Sequence, residues 1–257
     1  MKVSASKRLQ LMTELLQENG FVKAKELSQR FGVSMETIRK DLTFLEDRGV
    51  AKKEYGGAAL SLLGVETGLE LRMNHEDHKK AIARYTAGLL REYHSVIIDS
   101  GSTCLACVQY INLLPSMDII TNSLEVCRQL DGSRHNVFML PGKKREKSRS
   151  VTGNWAEIYL KGIYADVCLL GTSGLLDAWG PTSHSYQELS TKQMMLSRSS
   201  LTYVLADSSK FQENGLHTIA GWDQVDGIIT DPGIPMKAVK AFSEKVKIHI
   251  AKEDEVW

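Results

Sequence analysis

Long apolar runs are the first thing this chain of 257 residues lacks. No stretch approaches the roughly 18 consecutive apolar residues of a membrane-spanning helix. The N-terminus MKVSASKRLQLM likewise has no apolar core followed by a small-residue cleavage site, so a cytoplasmic protein is expected. Cysteine is scarce: Cys104, Cys107, Cys127 and Cys168 follow no repeating spacing, and in a reducing compartment they are expected to remain thiols. Cys104 and Cys107 form a C-x-x-C, but a structural zinc site needs a second ligand pair, and neither other cysteine lies in one or beside a suitably spaced histidine. No metal or other cofactor is expected, and the two thiols are expected to face the core from a helix. An excess of one charge is missing too. With 32 Lys and Arg against 31 Asp and Glu, the formal net charge is +1, which excludes a polycation that holds nucleic acid through its overall field.

What is present is an ordinary globular composition, 42% hydrophobic and 25% charged, in a chain long enough for a small domain plus a medium one. The small one stands first. Leu9, Met12, Leu15 and Leu16 recur at helical spacing until Gly20, and Ala24, Leu27 and Phe31 repeat at i, i+3 and i+7 until Gly32. Ser34 is a good N-cap for a third helix, in which Ile38, Leu42 and Leu45 make one apolar stripe. Small Ser28 lets the second and third helices approach, Gly32 turns the chain and Ile38 plugs the joint, the spacing of a helix-turn-helix. That geometry offers the start of the third helix to the major groove, with Arg39 and Lys40 as phosphate or guanine contacts and Ser34, Met35, Glu36 and Thr37 near base edges. After it, VAKKEYGGAAL reads as two short strands around a Gly-Gly turn: a wing that lays Lys52 and Lys53 along the DNA backbone. Residues 1–55 hold 11 Lys and Arg against 8 Asp and Glu, a modest local excess of +3.

The run KELSQRFGVSMETIRKDLTFLEDRG, followed by YGGA, resembles the N-terminal signature of the DeoR family of bacterial transcriptional regulators. The resemblance is close from Lys7 to Ala58, and further matches continue to Asp231. It implies a winged helix-turn-helix DNA-binding domain over 1–58, a linker over 59–76 and an effector-sensing domain over 77–257.

From His78 onward, helical and strand patterns alternate, and alternation of this kind implies βαβ units around a mainly parallel sheet covered on both faces. Almost every strand ends in a small polar cluster: DSGST, TNS, PGK, GTSG, ADSSK. In open α/β sheets ligands bind outside the carboxyl ends of strands, so these clusters are expected to converge on one pocket. Gly101, Ser102 and Thr103 supply backbone and hydroxyl donors at a helix start, suited to a phosphate or carboxylate. Lys192 and Lys210 add positive charge, Asn122 and Ser123 can read hydroxyls, and Glu188 either accepts from sugar hydroxyls or pairs with Lys192 one helical turn on. A small phosphorylated polyhydroxy compound suits the set.

The family resemblance extends here. The part from Val96 looks like the DeoR effector domain, an α/β domain whose sheet is similar to that of ribose-5-phosphate isomerase, and the family's effectors are usually phosphorylated sugars or their derivatives. It matches Asp99 to Thr103 to the phosphate loop, and TNS, GTSG with Gly171, and ADSSKF to the remaining blocks. An isomerase-like enzyme with an appended DNA-binding domain is the alternative, but the isomerases carry a pair of aspartates where this chain has Thr172 and Ser173. Asp177 or Glu188 would have to replace them as the placed carboxylate that proton abstraction needs.

One departure from the family pattern stands out: PGKKREKSRSVTG where relatives often have Gly-Gly. Lys143 to Arg149 holds five basic residues and one acid, and reads as an anion-reading loop, a second patch for DNA or a partner subunit, or a mobile solvated loop. The whole is expected to be a repressor of a carbohydrate-use operon that binds double-stranded operator DNA as a homo-oligomer, a dimer or a tetramer, under the control of a phosphorylated sugar or polyol.

Overall fold

A computed structural model of the chain describes residues 5–47, 51–60, 75–176 and 179–252. It divides into two compact units between Asn74 and His75.

The first unit runs α1 (Ala5–Asn19), β1 (Phe21–Lys23), α2 (Ala24–Phe31), α3 (Met35–Asp47), β2 (Ala51–Glu54) and β3 (Gly57–Leu60). Met12, Leu16, Leu27, Phe31, Ile38, Leu42 and Leu45 close over a single core. The turn between α2 and α3 is built as its residues predict. Gly32 caps α2 in the left-handed region at φ +62, and Ile38 is fully buried beneath it. Ser28 does more than stay small: its hydroxyl donates to Val33 O at 2.7 Å, tying the end of α2 to the turn. The wing is antiparallel, and it includes a third strand, β1, in the order β1-β3-β2. At Gly57 a Cβ would lie 2.0 Å from Val22 O, so the pairing of β3 with β1 admits only glycine there.

Arg8 on α1 reaches across to Asp41 on α3 through two hydrogen bonds, Nε to Oδ2 at 2.6 Å and Nη2 to Oδ1 at 3.1 Å. Both side chains are close to nine-tenths buried, at 8% and 11% exposed. A bidentate pair of this kind fixes orientation as well as distance, and so sets the angle at which α3 lies on α1.

The second unit opens with α4 (Glu76–Leu89), which ends in a 3-10 turn over Leu90–Glu92. There follow β4 (Ser95–Ile98), α5 (Ser102–Ile111), β5 (Asp118–Thr121), α6 (Leu124–Gln129) and β6 (Asn136–Met139). A hairpin of β7 (Lys143–Arg145) and β8 (Ser150–Thr152) leads to α7 (Asn154–Lys161), β9 (Ala165–Gly171) and β10 (Thr182–Ser183). The chain closes with α8 (Tyr186–Ser197), β11 (Ser199–Leu205), β12 (His217–Thr218), β13 (Gly227–Thr230), α9 (Met236–Phe242) and β14 (Ile248–Ile250). Seven strands form one sheet in the order β14-β13-β11-β9-β4-β5-β6, and every pairing is parallel. Val96, Ile97 and Ile98 are all fully buried, as strands covered on both faces must be.

The strand order decides where a site belongs. From β4 the chain moves outward through β5 and β6, then returns to β9 on the other side of β4 and moves outward again to β14. The reversal falls between β4 and β9, whose carboxyl ends are therefore the topological switch point of the sheet, the place where open α/β sheets take ligands.

Two expectations change, and one element is new. Ala59 and Leu60, assigned to a linker over 59–76, belong to β3 and pair with β1 and β2; residues 61–74 lie outside the described residues, and Glu76 already begins α4. Lys143 to Arg149 is solvated at Lys143, Lys144, Glu146, Lys147 and Arg149 but is not a free loop, because Lys143–Arg145 pairs with Ser150–Thr152 as a hairpin and Ser148 is fully buried. The small pair β10 and β12 joins segments too short to show an alternating pattern. Cys104 and Cys107 face the core from α5 as expected, and all four cysteines are free thiols.

Asp41→Ala takes the carboxylate from a buried guanidinium and should cost the first unit about 3–5 kcal/mol, as removal of one partner from a buried pair usually does. Urea unfolding followed by circular dichroism measures it, and a loss below about 1 kcal/mol would show that the pair behaves as a surface contact.

Candidate functional site

Two surfaces collect the expected residues, one on each unit. On the first, Ser34 caps α3: its Oγ accepts from Thr37 N at 3.1 Å. With Ile38, Leu42 and Leu45 turned inward, the helix exposes Met35, Glu36, Arg39 and Lys40, and half-exposes Thr37. Lys40 Nζ lies 3.1 Å from Glu36 Oε1, both ends largely in solvent, so the pair is a weak one. Lys52 and Lys53 are exposed on β2. Lys53 is also a strut: its N and Nζ both reach Glu46 at 2.9 Å, and Nζ donates to Thr43 Oγ1 at 3.1 Å, which binds the wing to α3. The bond from the Lys53 backbone, helped by its ammonium, holds the Glu46 carboxyl below its usual range. Tyr55, which the sequence reading passed over, stands fully exposed at the wing tip before Gly56 at φ +82. No periodicity singles it out; its place in the turn does.

On the second unit the switch point is crowded. At Gly101, the N-cap of α5, a Cβ would lie 3.2 Å from Gly171 Cα, and at Gly171 a Cβ would lie 3.0 Å from Asp99 Oδ2. The two strand ends therefore meet backbone to backbone. Asp99, fully buried, accepts from Gly171 N at 2.9 Å and from Lys192 Nζ, which also donates to Gly171 O at 3.3 Å. Burial works to lower the Lys192 pKa, but Asp99 and Glu188 outweigh it and hold the ammonium above its ordinary value.

Glu188 and Lys192 sit one turn apart on α8 and both point inward, yet they are not each other's main partner. Glu188 takes the guanidinium of Arg145 from β7, which also donates to Ser148 Oγ at 3.1 Å and to Gln187 Oε1 at 3.3 Å. The result is a buried line of alternating charge: Asp99, Lys192, Glu188, Arg145. Arg145 lay unremarked inside the basic segment, and the only signal for it was the charge of its neighbours. Arg149, from the same segment, pairs with Glu125 on α6 at 2.7 Å.

Other expected residues have mixed placements. Ser102 and Thr103 open α5 and are nearly buried. Asn122 follows β5, beside Asp99, and its Nδ2 donates to Val151 O at 3.3 Å. Ser123 is an N-cap, its Oγ accepting from Val126 N at 3.3 Å, so that hydroxyl already serves α6. Lys210 lies in the 3-10 turn Ser208–Gln212 after β11, paired with Glu213 at 2.6 Å, two strands away from β4. Asp177 lies outside the described residues.

The loop holding Lys210 carries its own fastening. Asp207 Oδ1 accepts from Ser209 N at 3.1 Å and Oδ2 stands 4.0 Å from the buried Lys79 of α4. Asp231, at the end of β13, accepts from Ser208 N at 2.7 Å and Gly233 N at 2.9 Å, and lies 3.2 Å from His78 Nδ1. Burial tends to raise the Asp207 carboxyl, but Lys210 and Lys79 outweigh it and keep its pKa below the usual value.

Known proteins resemble both units. The family described as "DeoR-like helix-turn-helix domain" matches residues 8–61, and the "DeoR C terminal sensor domain" matches residues 74–232. A protein of Escherichia coli O157:H7, described as "Putative aga operon transcriptional repressor", is 30% identical over 92% of this chain and 90% of its own. The "Glycerol-3-phosphate regulon repressor" of Escherichia coli strain K12 is 26% identical over 90% of this chain and 92% of its own. Ribose 5-phosphate isomerase A from Methanocaldococcus jannaschii aligns at a TM-score of 0.40 and 14% identity over 53% of this chain and 55% of its own, too loosely to bear on function. Among the described residues no helix is long and apolar enough to cross a membrane.

A carboxyl whose folded pKa lies below its unfolded one contributes stability above the unfolded value, and that stability is lost as pH falls through the folded one. Asp207→Asn should therefore lower stability at pH 7 and flatten the acid limb of a stability profile below about pH 4, the unfolded range for aspartate. Denaturant titrations from pH 7 to pH 2 measure both, and an unchanged acid limb would discard the assignment.

Proposed function

This chain belongs to the DeoR family of transcriptional regulators, and from that premise we propose that α3 and the wing bind operator DNA under the control of a phosphorylated sugar or polyol held at the β4–β9 crevice. The observation that carries the effector half is the switch-point architecture itself. A glycine-lined strand end, the start of α5 and a buried ionic network meet at the place where open α/β sheets take ligands. For the DNA half it is the exposed row Met35, Glu36, Arg39 and Lys40 on a helix whose opposite face is entirely core.

The relatives' names support a repressor of sugar or polyol use. A regulator rather than an enzyme is the reading those names favour; at the switch point Thr172 and Ser173 provide no carboxylate, Glu188 is committed to Arg145, and Asp99 is held by Gly171 and Lys192. Operator binding by a pair or tetramer of chains follows from the weakness of a single helix-turn-helix and the symmetry of half-sites. A coupling of about 1–3 kcal/mol between effector and DNA affinity is enough to switch such a protein.

Arg39→Ala with Lys40→Ala should weaken binding to an oligonucleotide selected by the native protein by about 100-fold or more, the sum of two lost base or phosphate contacts. Retained affinity in a fluorescence-anisotropy titration would remove α3 as the reading helix. In a separate melt of the full chain, a phosphorylated sugar at 100 times its Kd should stabilise by about 2.7 kcal/mol, while its unphosphorylated parent should not at the same concentration. Equal responses would refute the requirement for phosphate.

A further inference from the structure

Among the described residues, two oxygens beside the switch point are buried without a hydrogen bond: Asp99 Oδ1 and Asn122 Oδ1. Their residues are 0% and 1% exposed. A buried acceptor left without a donor is costly, and more so on a carboxylate, so such atoms in a native fold call for a reason.

The pair has a definite layout. β4 and β5 align Ile98 with Thr121 as their last paired residues, so Asp99 and Asn122 follow directly at the ends of adjacent strands, whose usual spacing is about 4.8 Å. The remaining atom of each group is engaged: Asp99 Oδ2 by Gly171 and Lys192, Asn122 Nδ2 by Val151 O. What is left is one bare acceptor on each of two neighbouring strand ends, and no donor. They cannot complement the oxygens of an anion, which are acceptors too. Their complement is a pair of O–H groups a few ångströms apart, as on neighbouring carbons of a sugar or polyol.

The charges point the same way. Lys192 and Arg145 are matched by Asp99 and Glu188, so the buried line carries no net charge to attract a phosphate. The opening N–H groups of α5, which have no acceptor within the helix, are the donors left for it.

We infer that Asp99 Oδ1 and Asn122 Oδ1 select the effector by accepting hydrogen bonds from two neighbouring hydroxyls, while its anionic end is held at the start of α5. This rests on reading the crevice as the effector site. Both oxygens are out of reach of solvent in this structure, so entry of the hydroxyls requires the groups covering them to shift.

The test uses the full chain and pairs of compounds differing by one hydroxyl: ribose 5-phosphate with 2-deoxyribose 5-phosphate, and glycerol 3-phosphate with 3-hydroxypropyl phosphate. Their unphosphorylated parents and inorganic phosphate complete the panel, with affinities taken from melting titrations. In the native protein at least one hydroxylated member should bind about tenfold or more tightly than its deoxy partner. In Asn122→Leu, and in the smaller Asn122→Ala should the first fold poorly, that ratio should collapse to about one while affinity for inorganic phosphate stays unchanged. A merely structural role for Asn122 would weaken all ligands alike.

Equal binding of hydroxyl and deoxy partners, or a ratio that survives loss of the Asn122 oxygen, overturns the inference and leaves a phosphate effector standing. Hydroxyl-dependent binding of the unphosphorylated parents alone supports the role of the two oxygens and overturns both the anionic anchor at α5 and the phosphate requirement. No binding across the panel overturns both.

Discussion

The second unit is organised around the contact of Asp99 with Lys192. Moving an ammonium and a carboxylate out of water costs several kcal/mol for each ion even after relaxation, and attraction returns that only in good geometry. Here the geometry is over-determined. Asp99 is held by the backbone of Gly171, Lys192 by both Asp99 and the Gly171 carbonyl, and the glycines at 101 and 171 let the two strand ends close to contact. Because Glu188 and Lys192 lie on one face of α8, the Arg145–Glu188 pair is set by the same helix register. Turning α8 by one residue would break both buried pairs at once, so the helix, the β7–β8 hairpin and the β4–β9 junction share a single solution.

The two units differ in how openly their sequences announce this. In the first, every decisive residue acts on near neighbours: Ser28, Gly32 and Ile38 span one turn, and Ser34 caps the helix it precedes. Such signals survive in the linear chain, and the helix-turn-helix and the β2–β3 wing were legible. β1 was not, because three residues carry no periodicity and its pairing with β3 depends on Gly57, far along the chain. Arg8 with Asp41 was hidden for the same reason, at a separation of 33 residues.

In the second unit the alternation of strands and helices was plain, and with it the fact that small polar strand ends gather on one edge. Partnerships within the edge were not. Asp99 and Lys192 lie 93 residues apart, Arg145 and Glu188 lie 43 apart, and the i, i+4 spacing of Glu188 and Lys192 suggested a local pair where the fold built two distant ones. Ser123 shows how one chemistry serves two ends, since a serine after a strand can cap a helix, as it does here for α6, as readily as meet a ligand. The basic segment misled by composition: a run of charge reads as solvated, whereas Arg145 and Arg149 each find a carboxylate.

The loop after β11 is fastened to α4 through two carboxylates. Asp207 stands between Lys210 on its own loop and Lys79 of α4, and Asp231 joins the same loop to His78 one residue earlier on that helix. α4 is the first element of the second unit, directly following residues 61–74, so the loop at one strand end is fastened to the helix on which the connection to the first unit arrives. The Lys79–Asp207 contact, at 4.0 Å and almost fully buried, is long for a charged hydrogen bond. Charge pairs in such surroundings respond steeply to distance and to what else the carboxylate accepts. Asp207 and Asp231 thus tie the loop after β11 to two successive residues of α4, so the end of that strand and the helix that opens the second unit are held by the same two carboxylates.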